Sequence, residues 1–319
     1  MGRLLALAAL LALAAPAVAQ DYPKQPIHLV IPFGPGGGSD IVGRILAQEL
    51  QARLGVPVVV ENRPGAGGTI GNEYIAHQAA DGYTLGMMTA GQVIAAVMRK
   101  SMPYDARTAF TPIAQVASAG LIMVARPDFP ANNVAELIAL AKAKPGKIVF
   151  GSPGFGATQH LAAELFKQTA KVDMLHVPFR TTPDAMTALL AGQVNVVFET
   201  VSAALGQVQA GRLKALAVTG KDRFPAVPDV PAAIESGLLP GYDVTTWYGV
   251  FGPRGMPSAV TARLNHVLNA IIAEPAVRER LTKAGVVVKG STPEAFGQMM
   301  DDELARWEAV RVKAGLEKQ

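Results

Sequence analysis

The residues best placed to do chemistry are backbone amides. Leu29-Val30-Ile31-Pro32-Phe33-Gly34-Pro35-Gly36-Gly37-Gly38-Ser39-Asp40 runs from an apolar strand through a glycine loop into a helix. Such a loop aims free N–H groups at one point, with the positive end of the helix dipole behind them, and suits an anion. A second glycine loop, Asn62-Arg63-Pro64-Gly65-Ala66-Gly67-Gly68-Thr69, again precedes a helix, and Thr89-Ala90-Gly91 forms a third strand-to-helix junction. The alternative for each loop is a plain tight turn. A dinucleotide fingerprint fits poorly: Gly34-Pro35-Gly36 begins one, but Ser39 stands at the third glycine position, and Glu61, in the place of a ribose-binding acid, leads into the second glycine loop. Asp40 serves as a helix cap, as an orienter of loop amides, or as both.

Catalytic signals are thin. G-x-S-x-G is absent, and histidines 28, 77, 160, 176 and 266 are too widely spaced for a two-histidine zinc helix. Ser152 and His160 could still meet in a fold, which leaves an exported hydrolase open. With no cysteine, thiol chemistry, disulfides and cysteine-ligated metals are excluded. No cofactor and no metal site is expected.

The elements that position these loops follow from periodicity. Ile41, Val42, Ile45, Leu46, Leu50 and Leu54 form one helical face, with Ser39 or Asp40 as the expected N-cap and Gly55 at the end. Three successive strand–loop–helix units predict a parallel α/β sheet with all three loops beyond the strands' carboxyl ends. Residues 110–126 read as one long extended stretch crossing into a second domain that repeats the grammar: strand 148–150 before Gly151-Ser152-Pro153-Gly154-Phe155-Gly156-Ala157-Thr158, strand 174–178 before Phe179-Arg180-Thr181-Thr182-Pro183, and strand 194–198 before Glu199-Thr200. A proline-rich connector, 224–231, precedes an aromatic strand over 244–251. Helices over 258–273, 276–284 and 293–312 pack back on the first domain, the last with a capping box from Ser291 to Glu294.

Residues 1–19 read as a secretory signal: Arg3, an apolar core over 4–15, and Ala17-Val18-Ala19 before the expected cleavage after Ala19. The apolar run is short for a span of ~20 residues. The mature chain is therefore expected in the periplasm. With Arg3 removed, 28 Lys and Arg face 25 Asp and Glu, and no basic run supports nucleic-acid binding.

Taken together, Val60-Glu61-Asn62-Arg63-Pro64-Gly65-Ala66-Gly67-Gly68, Ala80-Asp81-Gly82-Tyr83-Thr84-Leu85, His176-Val177-Pro178-Phe179, Leu190-Ala191-Gly192-Gln193-Val194, Leu213-Lys214-Ala215-Leu216-Ala217-Val218-Thr219 and Pro228-Asp229-Val230-Pro231, in order after the first glycine loop, resemble the Bug-type substrate-binding receptors of tripartite tricarboxylate transporters. The resemblance covers essentially the whole mature chain. It implies an α/β, two-domain periplasmic binding protein of the Venus-flytrap type II class, hinged by crossing strands. The domains would be 20–120 plus 221–319, and an inserted 121–220. It implies no enzyme activity, a monomer, membrane permease subunits as partners, and a small organic acid as ligand: a di- or tricarboxylate, an amino acid or an aromatic acid. A sensor signalling to a membrane kinase is the alternative on the same fold.

Carried over by motif, the ligand contacts would be Phe33, Gly36, Gly37, Ser39, Asp40, Gly67, Gly68, Thr69 and Thr89 from the first domain. The second would supply Gly154, Ala157, Thr158, His160, Phe179, Arg180 and Glu199, with Trp247 at the hinge or cleft edge. Two departures stand out. Arg180 follows Phe179 where the family commonly has lysine and glycines, and its planar fork could clamp a carboxylate or simply be solvated. Glu199 stands where the family often has aspartate, and so changes cleft size or repels a second carboxylate.

Overall fold

The computed structural model describes residues 22–313 and 315–318; the signal-peptide reading falls on residues outside these. β1 (Ile27–Ile31) is flanked by two parallel strands, β2 (Val58–Asn62) and β3 (Thr84–Thr89), with Leu29 paired to both Val60 and Leu85. Each strand is followed by a helix: α1 (Gly38–Leu54), α2 (Thr69–Ala76) and α3 (Ala90–Met98). Parallel pairing puts the three strand-to-helix loops on one edge.

α1 buries Val42, Leu46, Ala47, Leu50 and Leu54, each large aliphatic group contributing roughly 2 kcal/mol. Gly55 ends it in the left-handed conformation, φ 72°, and its N–H bonds Gln51 O at 3.1 Å. The N-cap is Gly37, two residues before the first expected candidate, Ser39. Asp40 lies inside the first turn and reaches back to the Gly36 amide instead.

β4 (Phe110–Ala125) is the spine of the molecule. Up to Gly120 it pairs with antiparallel β9 (Thr245–Pro253), which also pairs with β3. From Leu121 it pairs with β7 (Val196–Thr200) and β8 (Lys214–Val218) of a second lobe. There β5 (Ile148–Ser152) runs parallel to β6 (Met174–Pro178) and β7. Its helices are α4 (Val134–Ala143), α5 (Thr158–Ala170), α6 (Thr182–Leu190) and α7 (Val201–Gln209).

The chain returns beside its outward crossing. Thr219 N–H donates to Leu121 O at 2.9 Å, its hydroxyl to Val244 O at 2.6 Å, and Val244 N–H to Thr219 O at 2.9 Å. The connector after Thr219 was expected in the first domain. It stays on the second lobe instead, because Val227 and Ala232 bury against Ile122 and Leu189. Val218 N–H bonds Pro231 O at 2.9 Å, and the Tyr242 hydroxyl bonds Ala162 O at 2.9 Å.

α8 (Ser258–Ala273) packs Leu264 and Leu268 on the first lobe with Leu29 and Leu46. α9 (Pro275–Lys283) follows, and the short β10 (Val287–Val288) pairs with β4. α10 (Pro293–Lys313) sets Phe296 and Trp307 beside Trp247 and Phe251. The expected Ser291 cap is replaced by Thr292, whose hydroxyl accepts the Ala295 amide at 3.1 Å, while Ser291 accepts the Gln115 amide.

Candidate functional site

Five helix starts converge on one cavity between the lobes. α1 brings Gly37, Gly38 and Ser39, α3 its cap Thr89, α5 Thr158 and Gln159, α6 Thr182, and α7 its cap Thr200. Phe33 closes one side, and Thr246 and Tyr248 project from β9. Among the described residues no Lys or Arg lines the cavity. Its positive character comes from helix ends, roughly +0.5 charge each, and from hydroxyl and amide donors.

The cavity measures about 20 Å³, room for a single water-sized group. The lobes are closed on it through backbone. A Cβ on Gly67, φ +66°, would meet the Phe155 carbonyl from the other lobe, and one on Gly154 would lie 2.9 Å from Gly67 N. Arg99 ties the two sides, donating to Ala66 O at 2.9 Å and to Phe155 O at 3.4 Å.

The expected residues divide by role. Phe33, Gly37, Ser39, Thr89 and Thr158 line the cavity. Gly67, Gly154 and Ala157 form the interlobe contact, and Gly68 packs against the Phe33 ring. Thr69 is buried at the start of α2, its hydroxyl without a partner. Asp40 does not line the cavity; it shapes the loop that does. Its Oδ2 accepts the Gly36 amide and Arg44 Nε, both at 2.9 Å, and its Oδ1 accepts Asn62 Nδ2 at 2.9 Å. Burial pushes its carboxyl up, but Arg44, the Gly36 amide and Asn62 outweigh it, and the group sits below its ordinary value.

Arg180 and Phe179, expected at the ligand, stand apart from the cavity wall, and Trp247 packs as a core residue. Arg180 is exposed on the β6–α6 loop and does not line the cavity, because the next residue, Thr181, turns inward to pack on Gly34. Phe179 is half-buried against Gly151, outside the cavity wall. Trp247 alternates with its neighbours on β9: Thr246 and Tyr248 face the cavity, while Trp247 packs on Phe296, ring centroids 5.3 Å apart.

His160 lies behind the wall in a stack of rings, Phe155–His160–His176–Phe150, with centroids 4.6, 4.3 and 4.7 Å apart. Ser152 meets His176, not His160: Oγ lies 2.7 Å from Nε2. Burial, then the neighbouring charges, lower His160 to about 3 and His176 to about 4. Ser152 has no exposed surface and also bonds Gly154, so the pair braces the loop and is closed to a substrate.

Glu199 stands behind the wall, fully buried. Its Oε1 accepts Gln159 Nε2 at 2.8 Å, Thr200 N–H at 2.7 Å and the Thr200 hydroxyl at 3.2 Å. Its Oε2 makes no close hydrogen bond among the described residues, the Thr182 hydroxyl being the further donor beside the carboxyl. Burial raises its carboxyl, against the pull of these donors and of Thr182. Burial likewise pushes the Tyr248 phenol above its ordinary range, so it remains a donor. The sequence reading missed Gly38, Gln159, Thr182, Thr200, Thr246 and Tyr248. The first four sit at helix starts, where the loop pattern could have marked them; the β9 pair carried no such signal.

The family model described as tripartite tricarboxylate transporter family receptor matches residues 42–316. The chain belongs to that family. Among solved structures it is similar to the periplasmic binding protein BugD, at 37% identity and TM-score 0.89, covering 93% of this chain and 100% of the other. An R. palustris protein with adipate shares 31% identity at TM-score 0.90, covering 94% and 100%. MatC from Rhodopseudomonas palustris, with bound malate, shares 34% at TM-score 0.86, covering 91% and 99%. These receptor-family relatives are solute-binding proteins with the same two-lobed α/β fold. Among the described residues no helix is long and apolar enough to cross a membrane.

Proposed function

We propose that this receptor-family chain works in the periplasm, capturing a small organic carboxylate between its lobes and delivering it to the permease subunits of a tripartite transporter. The observation that carries the reading is the meeting of five helix starts on a cavity lined by hydroxyls and one side-chain amide, with no cationic side chain among the described residues. Neutral donors hold a carboxylate without the desolvation cost of a buried ammonium or guanidinium. Relatives with adipate and with malate make aliphatic dicarboxylates the first class to test. Contacts from both lobes are what let a ligand favour the closed state. In this reading the ligand leaves chemically unchanged, a role supported by membership of a receptor family and by similarity to a periplasmic binding protein.

The test is a thermal-shift screen of the mature chain, unfolded and refolded to remove carried-over ligand. The panel is adipate, malate, citrate, amino acids and aromatic acids, each beside its amide. A ligand at a hundred times its Kd adds about 2.7 kcal/mol, several degrees of midpoint. Stabilisation by an acid and not by its amide is the expected result. Equal stabilisation by both, or by neither, removes the carboxylate reading.

A further inference from the structure

We propose that Arg99 is the closure latch of this receptor. Held to Ala66 of its own lobe, it takes the Phe155 carbonyl of the other lobe as the two meet, and so sets how long a captured ligand stays without touching that ligand. This rests on the reading of the cavity as a capture site.

The bond crosses the cleft. Arg99 caps the C-terminal end of α3 in the first lobe, and Phe155 lies in the loop between β5 and α5 of the second. One nitrogen, Nη2, donates to Ala66 O at 2.9 Å and to Phe155 O at 3.4 Å. The first bond joins parts of one lobe and survives opening. The second breaks when the lobes part. The guanidinium also stands 5.8 Å from the centre of the Phe155 ring, within the ~6 Å reach of a cation–π contact. Among the described residues no Asp or Glu pairs with Arg99, so no carboxylate draws it away from the two carbonyls.

Both ends of the latch are shaped within their own lobes. In the second, the Gly154 amide bonds Ser152 Oγ at 3.3 Å, the Gly156 amide bonds His160 Nδ1 at 3.4 Å, and the Phe155 ring packs on His160. In the first, Ala66 holds φ 51° between Gly65 and Gly67, a left-handed value that strains a residue with a side chain. The Arg99 bond to its carbonyl fixes that turn. Closure then sets Gly67 against Phe155 O and against Gly154. Glycines bring no side chain to hold such a seam, and Arg99 supplies one.

The latch is also separate from the ligand. Neither Arg99 nor Phe155 lines the cavity. The Tyr248 phenol likewise faces Ser202 and Thr200 across the cleft, but it does line the cavity, where a ligand meets it. A contact made only between closed lobes slows their opening and leaves encounter with the open protein unchanged.

Stopped-flow binding of adipate and of malate to the mature chain reads the two rates separately. In Arg99→Ala dissociation should be roughly fivefold to tenfold faster, with association within about twofold of wild type. Arg99→Lys keeps the charge without the planar fork that spans two carbonyls. It should associate like wild type and still dissociate faster, which separates a latch from a steering charge. Closure is also read without ligand. The chain has no cysteine, so spin labels on Ala52→Cys of α1 and Ala143→Cys of α4, one exposed site in each lobe, report the separation of the lobes. Arg99→Ala should shift the label population away from the distance set by the closed lobes. Unchanged dissociation in Arg99→Ala overturns the latch and leaves the receptor reading standing, and so does an identical label distribution. Binding of neither acid by the wild-type chain counts against the receptor reading instead, and the label distances then decide the latch.

Discussion

The hydroxyl of Tyr248 fills the space that a side chain at Gly38 would need. A Cβ on residue 38 would collide with it, and would lie 2.6 Å from Ser202 Oγ and 2.8 Å from Thr200 Oγ1. Gly38 and Tyr248 belong to the first lobe, Ser202 and Thr200 to the second. One missing side chain thus lets the start of α1, strand β9 and the start of α7 meet. The closed cavity admits about one water-sized group, so under the proposed receptor role a ligand of carboxylate size requires the lobes to part before it is held.

Gly38→Ala should separate closure from folding. The clashes with Ser202 and Thr200 arise only on closure, whereas the Tyr248 hydroxyl shares the first lobe with Gly38 and must swing aside in either state, so the ligand-free midpoint is measured beside the affinity and is expected to fall by a few degrees. Affinity for the acid found in the thermal-shift screen should fall at least tenfold by calorimetry. Wild-type affinity in this variant would show that the lobes close differently.

Asp40→Ala should loosen the first glycine loop. It removes charge-assisted bonds to the Gly36 amide, Arg44 and Asn62, a loss of about 2 kcal/mol. Urea unfolding reads it. The depressed carboxyl contributes its stability above its ordinary pKa of about 3.9 and loses it as pH falls through the lower folded value. The difference between wild type and variant should therefore shrink below about pH 4. A variant as stable as wild type at pH 7 would contradict the bracing role.

The stacked histidines set a second pH dependence. His160 and His176 stay neutral in the folded chain down to about 3 and about 4, while the unfolded chain binds protons from about pH 6.5 downward. Stability is therefore complete above about pH 6.5 and falls on acidification, by up to about 1.4 kcal/mol per pH unit for each histidine. His160→Gln should roughly halve the slope between about pH 6 and 5. An unchanged slope would mean that the rings titrate freely.

Arg180→Ala is expected to leave equilibrium affinity within about threefold, because the guanidinium is exposed and outside the cavity wall. Stopped-flow measurement at low salt should show slower association, the mark of a charge that steers without clamping. A hundredfold loss of affinity would place the fork on the ligand after all.

The alternation of apolar strands, glycine loops and amphipathic helices determined much of this protein from sequence alone. It predicts the parallel sheets, the long crossing strand near 110–126, and the edge on which the loops gather, because period and loop chemistry are local properties. The start of α1 shows the limit. Ser39 and Asp40 look like caps by type, yet Gly37 holds that place and Asp40 braces the loop from inside the first turn. The proline-rich connector reads as a linker by composition, but Val227 and Ala232 find an apolar face on the second lobe. The register of β9 decided that Tyr248 faces the cavity and Trp247 the core, since a one-residue slip exchanges them. The meeting of the lobes decided that Thr181 packs inward on Gly34 while Arg180 remains in solvent, and packing within the second lobe buried Glu199 behind Gln159 and Thr200. Those outcomes depend on which surfaces meet across distant stretches of chain, and no local pattern encodes them.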